Sequence, residues 1–147
     1  MAFTELKTLK YASDLLIDHA DFHFSNDDTN ITPAGVIKLG TVVFRPKNSA
    51  PSVAWAVVDD ATDAVVANEF AVVWGDHYGF AYDFTPKAIA AGKFNAIVVA
   101  RDAAFKEYYI KENYATLLGA APYALMKQLM ANQGLLILED VSKYKAV

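Results

Sequence analysis

The chain has 147 residues, of which 54% are hydrophobic, 20% charged and none cysteine, and 13 Lys and Arg against 17 Asp and Glu give a net charge of −4. A chain of this length suits a single domain with one core. The lack of cysteine excludes disulfides, thiolate zinc sites, thiol catalysis and iron–sulfur ligation, and a pI near 5.2 argues against the dense basic footprint of a nucleic-acid binder.

The opening Met1 to Lys7 lacks a basic stretch followed by an apolar core and a small-residue cleavage site, so no secretory signal is expected. Thr4 to Leu16 does not make a convincing amphipathic helix, because Ser13-Asp14 suits a cap or turn better than a helix interior. Asp18 to Phe24 alternates, with Ala20, Phe22 and Phe24 on one side and His19, Asp21 and His23 on the other, as a half-buried strand does. Ser25 to Asn30 then reads as a polar turn. Residues 1–30 are accordingly expected to form an extended N-terminal arm. Its apolar residues Leu6, Leu9, Tyr11, Leu15, Leu16, Ile17, Phe22 and Phe24 would need another surface to cover them.

Residues 31–147 carry the signals of a β-rich core domain. Val36 to Leu39 lies between Gly35 and Gly40, and Thr41 to Phe44 leads into a loop from Pro46 to Pro51. Val53 to Val58 ends at the acidic turn Asp59 to Asp63, Phe70 to Trp74 ends at Gly75, and Phe94 to Ala100 ends at Arg101-Asp102. These short β-branched or aromatic runs bounded by turn residues predict strands. The stretch holding Tyr108, Tyr109, Tyr114 and Leu117-Leu118 is left open. One helix is predicted between Pro122 and Gly134, with Leu125, Met126, Leu129 and Met130 at helical spacing. It leads into a final strand ending at Leu138. The expected fold is mainly β with one packed helix, a small α+β domain. No apolar run approaches the roughly 18 residues of a membrane span, so a soluble protein with no membrane partner is expected.

Candidate chemistry is sparse. His19, Asp21 and His23 at i, i+2, i+4 are weak metal candidates, since three ligands on one strand converge poorly; a polar contact face is the better reading, and neither metal nor cofactor is expected. His77 beside Asp76, and the pairs Asp59/Asp60 and Glu139/Asp140, suit turns better than acid–base catalysis. No nucleophile elbow, P-loop, H-E-x-x-H or G-x-G-x-x-G is present, and no catalytic residue is assigned. Residues 48–86 contain no Lys or Arg but six carboxylates, on Asp59, Asp60, Asp63, Glu69, Asp76 and Asp83. Within this block Trp55, Trp74, Tyr78 and Phe80 are candidates for a subunit interface, because aromatic residues with few charges around them favour contact surfaces.

The order of the pieces carries a resemblance. Tyr11-Ala-Ser-Asp-Leu-Leu-Ile17, the alternating Ala20 to Phe24, the polar turn and Val36-Ile-Lys-Leu-Gly-Thr-Val-Val43 resemble the beginning of lambda-type head decoration proteins of tailed bacteriophages. Ala54 to Val58, Phe70 to Trp74 and the closing Ala124 to Ile137 are similar to that family's later strands and its terminal helix, glycine and strand. The resemblance implies a decoration-protein-like β fold. It also implies a homotrimer on the outer surface of the expanded virion head, made in the host cytoplasm, with the major capsid protein as partner and no enzymatic activity. The arm would bind the capsid lattice. A tail or baseplate adaptor is the alternative structural role, and a small metal-dependent hydrolase using His19, His23 and His77 is the alternative from another class.

Overall fold

The computed structural model describes residues 15–19, 26–32, 36–37, 40–76, 87–88 and 94–139. In chain order the elements are β1 (Leu16–His19), β2 (Asn26–Thr32), β3 (Val36–Ile37), β4 (Val42–Pro46), β5 (Trp55–Val57), a 3₁₀ turn (Ala61–Asp63), β6 (Asn68–Asp76), β7 (Lys87–Ala88), β8 (Phe94–Val99), β9 (Ala103–Lys106), α1 (Glu107–Leu118), α2 (Ala120–Asn132) and β10 (Leu135–Leu138). The fold is mainly β with two helices, as a small α+β domain.

Five strands curl into a closed ring in the order β2-β5-β4-β6-β8. Every pairing is antiparallel except β2 with β5, a short parallel seam at Ile31↔Trp55 and Thr32↔Ala56. A three-stranded sheet, β1-β9-β10, stands beside it, and β3 pairs with β7. Phe70, Ala71, Val72 and Val73 of β6 are all buried. A strand buried on consecutive residues is covered on both faces, and α2 packs against both β6 and β10. The core therefore runs from the ring interior through β6 to the helices.

Each helix turns one stripe inward. On α1 the buried residues Ile110, Tyr114 and Leu118 recur every fourth position, and on α2 Tyr123, Met126, Leu129 and Met130 do the same work. Pro122 occupies the first turn of α2, where its missing N–H costs nothing. Gly134 reverses the chain from α2 into β10 at φ +83°, a backbone conformation that favours glycine.

Two expectations need correction. The segment read as a polar turn contributes Asn26 to Thr32 as β2, which pairs with β8 from Asn26↔Val99 to Ile31↔Phe94. Main-chain pairing with an apolar neighbour overrides the poor strand propensity of Asn and Asp. The boundary drawn at residue 30 thus falls inside a strand of the ring, and Leu16 to His19 pairs with β9. The single expected helix is preceded by a second, because the open tyrosine-rich stretch forms α1. Its tyrosines obscured the stripe; Tyr114 is buried, whereas Tyr108 is exposed.

Tyr114 fixes α1 to the ring. Its hydroxyl accepts from the Val42 N–H at 2.7 Å and lies 3.2 Å from the Val42 carbonyl, to which it donates. Burial pushes the Tyr114 phenol above its ordinary pKa, so the group stays neutral and can donate. At the start of α1, Glu107 is 7% exposed and accepts from Lys127 Nζ at 2.7 Å and Tyr123 Oη at 3.2 Å, both on α2. Burial pulls the Glu107 carboxyl upward, but the hydrogen bond and charge of Lys127, with the Tyr123 bond, hold it below its ordinary 4.5.

Tyr114→Phe leaves the buried Val42 N–H unmet, an expected loss of about 1–3 kcal/mol in unfolding free energy; an unchanged urea midpoint contradicts the contact. Because Glu107 is more acidic folded than unfolded, its stabilisation is present above about pH 4.5 and fades as pH falls through the lower folded pKa. Glu107→Gln is expected to lower stability at pH 7 and to flatten its decline in acid, read as thermal midpoint against pH.

Candidate functional site

The geometry of the site starts where β8 leaves the ring. β6 pairs with β4 from Asn68 to Val72 and with β8 only from Val72 onward. After Val99 the chain turns away through Ala100 to Asp102 and enters β9. Main-chain groups of alternate residues on a strand point the same way, so Asn68 and Phe70 are left facing a gap. Gln133, just past α2, fills it: its Oε1 accepts from the Phe70 N–H at 2.9 Å and its Nε2 donates to the Asn68 carbonyl at 3.3 Å. One carboxamide thus takes the place of a strand's peptide group.

The departing chain leaves a recess of about 350 Å³ beside this junction. Its lining includes Arg45, Lys47, Trp55, Glu69, Arg101 and Gln133, drawn from β4, the loop after it, β5, β6, the β8–β9 turn and the end of α2. Arg45 and Glu69 sit directly opposite on β4 and β6 and form an ion pair through Arg45 Nε and Glu69 Oε1. The Arg45 guanidinium also lies over the Trp55 ring, 4.3 Å from its centroid, a cation–π contact. Trp55 is 1% exposed, and its indole N–H meets no acceptor among the described residues. Three cations against one carboxylate give the lining a net charge of +2, against −4 for the whole chain. Arg45 is engaged by Glu69 and Trp55 and Arg101 has a partner of its own, which leaves Lys47 as the exposed cation of the lining.

The structure brings few of the sequence candidates together. Trp55 lines the recess and packs in the core cluster, with Trp74 half-buried against that cluster. Leu15 is fully buried and Leu16 packs against the same cluster. Ile17 and His19 belong to β1, where only their backbone is described. Leu6, Leu9, Tyr11, Asp21, Phe22, His23, Phe24, His77, Tyr78, Phe80 and Asp140 lie outside the described residues. Among the described residues no three His, Cys, Asp or Glu side chains gather as metal ligands do. The carboxylates of Asp60 and Asp63 belong to the 3₁₀ turn: Asp60 accepts from Thr62 N–H, and Asp63 accepts from the N–H groups of Asp59 and Asp60. Hydrogen bonding from the Thr62 backbone, and from its side chain, holds the Asp60 carboxyl below its ordinary pKa. Sequence reasoning missed Arg45, Lys47, Arg101 and Gln133. An alternating Arg45-x-Lys47 at a strand end was the available signal, but nothing in the sequence tied it to a glutamine 86 to 88 positions later.

Comparison with protein-family models, with curated proteins and with solved structures finds no match to this chain. Among the described residues no helix is long and apolar enough to cross a membrane.

Gln133→Met keeps side-chain length but removes both hydrogen bonds, and the expected cost is about 1–3 kcal/mol. Amide chemical shifts of Phe70 and of the recess residues are expected to move with it; an unperturbed Phe70 amide contradicts the bridging role.

Proposed function

We propose that this chain is a structural virion protein of the lambda-type head decoration kind, binding as a trimer to the outside of an expanded phage head and cementing neighbouring capsid subunits. The order of sequence pieces from Tyr11 to Ile137 suggests it, and a small, mainly β fold accords with it. The observation that carries the reading is the outer surface of the β1-β9-β10 sheet. β10 lies at the edge of that sheet, and while Leu135 and Ile137 are buried, Leu136 and Leu138 are 46% and 44% exposed.

An edge strand offers main-chain groups to an added strand, and apolar side chains on its open face give that addition a hydrophobic contribution. Monomeric proteins blunt such edges with charges; β10 carries none between Leu135 and Leu138. Val66, Tyr108 and Leu117 are also more than half exposed. A cement protein works through many modest contacts shared among neighbours, where linkage gives high effective concentration. Surface of this kind serves that task and needs no reacting group.

The test is electron microscopy of expanded heads that lack the protein, before and after its addition. Protrusions at threefold and quasi-threefold positions are expected, and heads without added density contradict the proposal. Because β1 pairs with β9, the arm is tested by deleting residues 2–14 only, and loss of head binding with retained thermal stability is expected.

A further inference from the structure

We propose that the open edge of β10 receives residues Leu6 to Tyr11 of a second copy of this chain, added as an antiparallel strand. The inference rests on the cement-protein reading above and names an occupant for the edge that carries it.

The edge is apolar along its length and acidic where it ends. Among the described residues β10 pairs with β9 alone, so its outward main-chain groups have no strand beside them. Leu135 and Ile137 are buried, whereas Leu136 and Leu138 share the other face and are exposed. Glu139 and Asp140 follow directly, and no Lys or Arg occurs from Leu135 to Asp140. Glu139 is exposed and makes no ion pair among the described residues. A strand added here gains ladder hydrogen bonds, contact with two leucines and a place for a cation at the acidic end.

The chain itself carries the complement of that edge. Leu6-Lys7-Thr8-Leu9-Lys10-Tyr11 holds two lysines and no acid, against two carboxylates and no cation in Leu135 to Asp140. On an extended strand Lys7, Leu9 and Tyr11 share one side. Laid antiparallel to β10, Leu9 falls beside Leu138 and Tyr11 beside Leu136, and Lys7 reaches the acidic end. Lys10 falls on the opposite side, where its stem packs at the rim and its ammonium stays in water. A second β10 is a poorer occupant, because pairing two such edges gathers four carboxylates and no cation.

Topology decides which copy supplies the segment. β1 runs antiparallel to β9 and β10 runs parallel to it, so a segment antiparallel to β10 runs in the direction of β1. Parallel strands of one sheet need a connection of about a dozen residues, and only residues 12–15 separate Tyr11 from β1. A chain therefore cannot lay the segment on its own edge in this direction, and a neighbour supplies it. Each copy gives one segment and receives another. The contact is heterologous, and repetition of it closes a ring, here the trimer proposed above.

The experiment mixes two full-length variants. Leu9→Glu/Tyr11→Glu spoils the segment and keeps the edge, while Leu136→Glu/Leu138→Glu spoils the edge and keeps the segment. In sedimentation equilibrium wild type is expected to associate, and each variant alone to lose about tenfold or more in association constant, because a charge is buried at the contact. Mixed one to one, they are expected to form pairs at concentrations where neither associates alone, since each retains what the other lacks. Thermal midpoints report folding. A monomeric wild type, undiminished association in either variant, or folded variants that stay monomeric when mixed overturns the proposal.

The absence of cysteine permits a second readout that depends on neither variant. Leu9→Cys/Leu138→Cys places two thiols on facing positions of the strand pair, at a separation that a disulfide spans. Mild oxidation is expected to link copies covalently, and Leu138→Cys alone is expected to stay unlinked. An internal disulfide within one copy, linkage of Leu138→Cys alone, or no linkage at all overturns the proposal. Head binding is scored separately by electron microscopy. A monomeric wild type whose decoration of heads is lost in the edge variant assigns the edge to the capsid, which overturns this inference and keeps the reading beneath it; paired variants with bare heads for wild type do the reverse.

Discussion

The structure depends on two side chains of the helical unit that stand in for main-chain partners of the barrel. Tyr114 of α1 bonds both main-chain groups of Val42, and Gln133 after α2 bonds the Phe70 N–H and the Asn68 carbonyl. The Val42 carbonyl also accepts from the Val58 N–H at 3.0 Å, but the Val42 and Phe70 N–H groups rely on Tyr114 and Gln133, and an orphaned buried donor costs about 1–3 kcal/mol. Apolar packing of Met126, Met130 and Leu129 brings the helices to β6, but packing alone is weakly directional. The two-point hydrogen bonds fix where along the strands the helices sit. Glu107, Tyr123 and Lys127 then hold α1 and α2 to each other, so the pair moves as one body.

The recess is a consequence of the same arrangement. β8 must leave the ring after Val99 to supply β9, and its departure opens the wall beside β6. A glutamine closes the main-chain part of that opening and leaves the side-chain part as a cavity lined with Arg45, Lys47 and Arg101. The path of the chain therefore accounts for a concave site lined by Arg45, Lys47, Arg101 and Glu69. The exposed leucines of β10 begin at Leu136, three residues after Gln133, which places an apolar edge close in the chain to the recess.

Much of the fold was legible in the residues. Runs of β-branched side chains between turn residues marked β4, β5, β6 and β8, and the Pro122 to Gly134 frame marked α2, because these are local signals with local causes. The misread elements depended on distant partners. Asn26 to Thr32 is polar throughout except Ile31, and only its pairing with β8 makes it a strand. α1 was obscured by tyrosines, which fit strands and helices alike, until Ile110, Tyr114 and Leu118 were seen to share a buried stripe. Of the aromatics expected at a subunit interface, Trp55 lies in the core and Trp74 packs against it, while Tyr78 and Phe80 lie outside the described residues. The recess was not legible at all, since its cations and Gln133 come together only through the ring and the α2–β10 turn.

The central claim is that the helical unit and the barrel form one cooperative body joined at Val42 and Phe70, with the recess as a fixed feature of the joint. Native-state hydrogen exchange of the full chain in rising denaturant tests it residue by residue. The account predicts that the Val42 and Phe70 amides exchange only through the global opening that also releases Val72. Exchange of Phe70 through a separate, lower-energy opening while Val72 stays protected would contradict it.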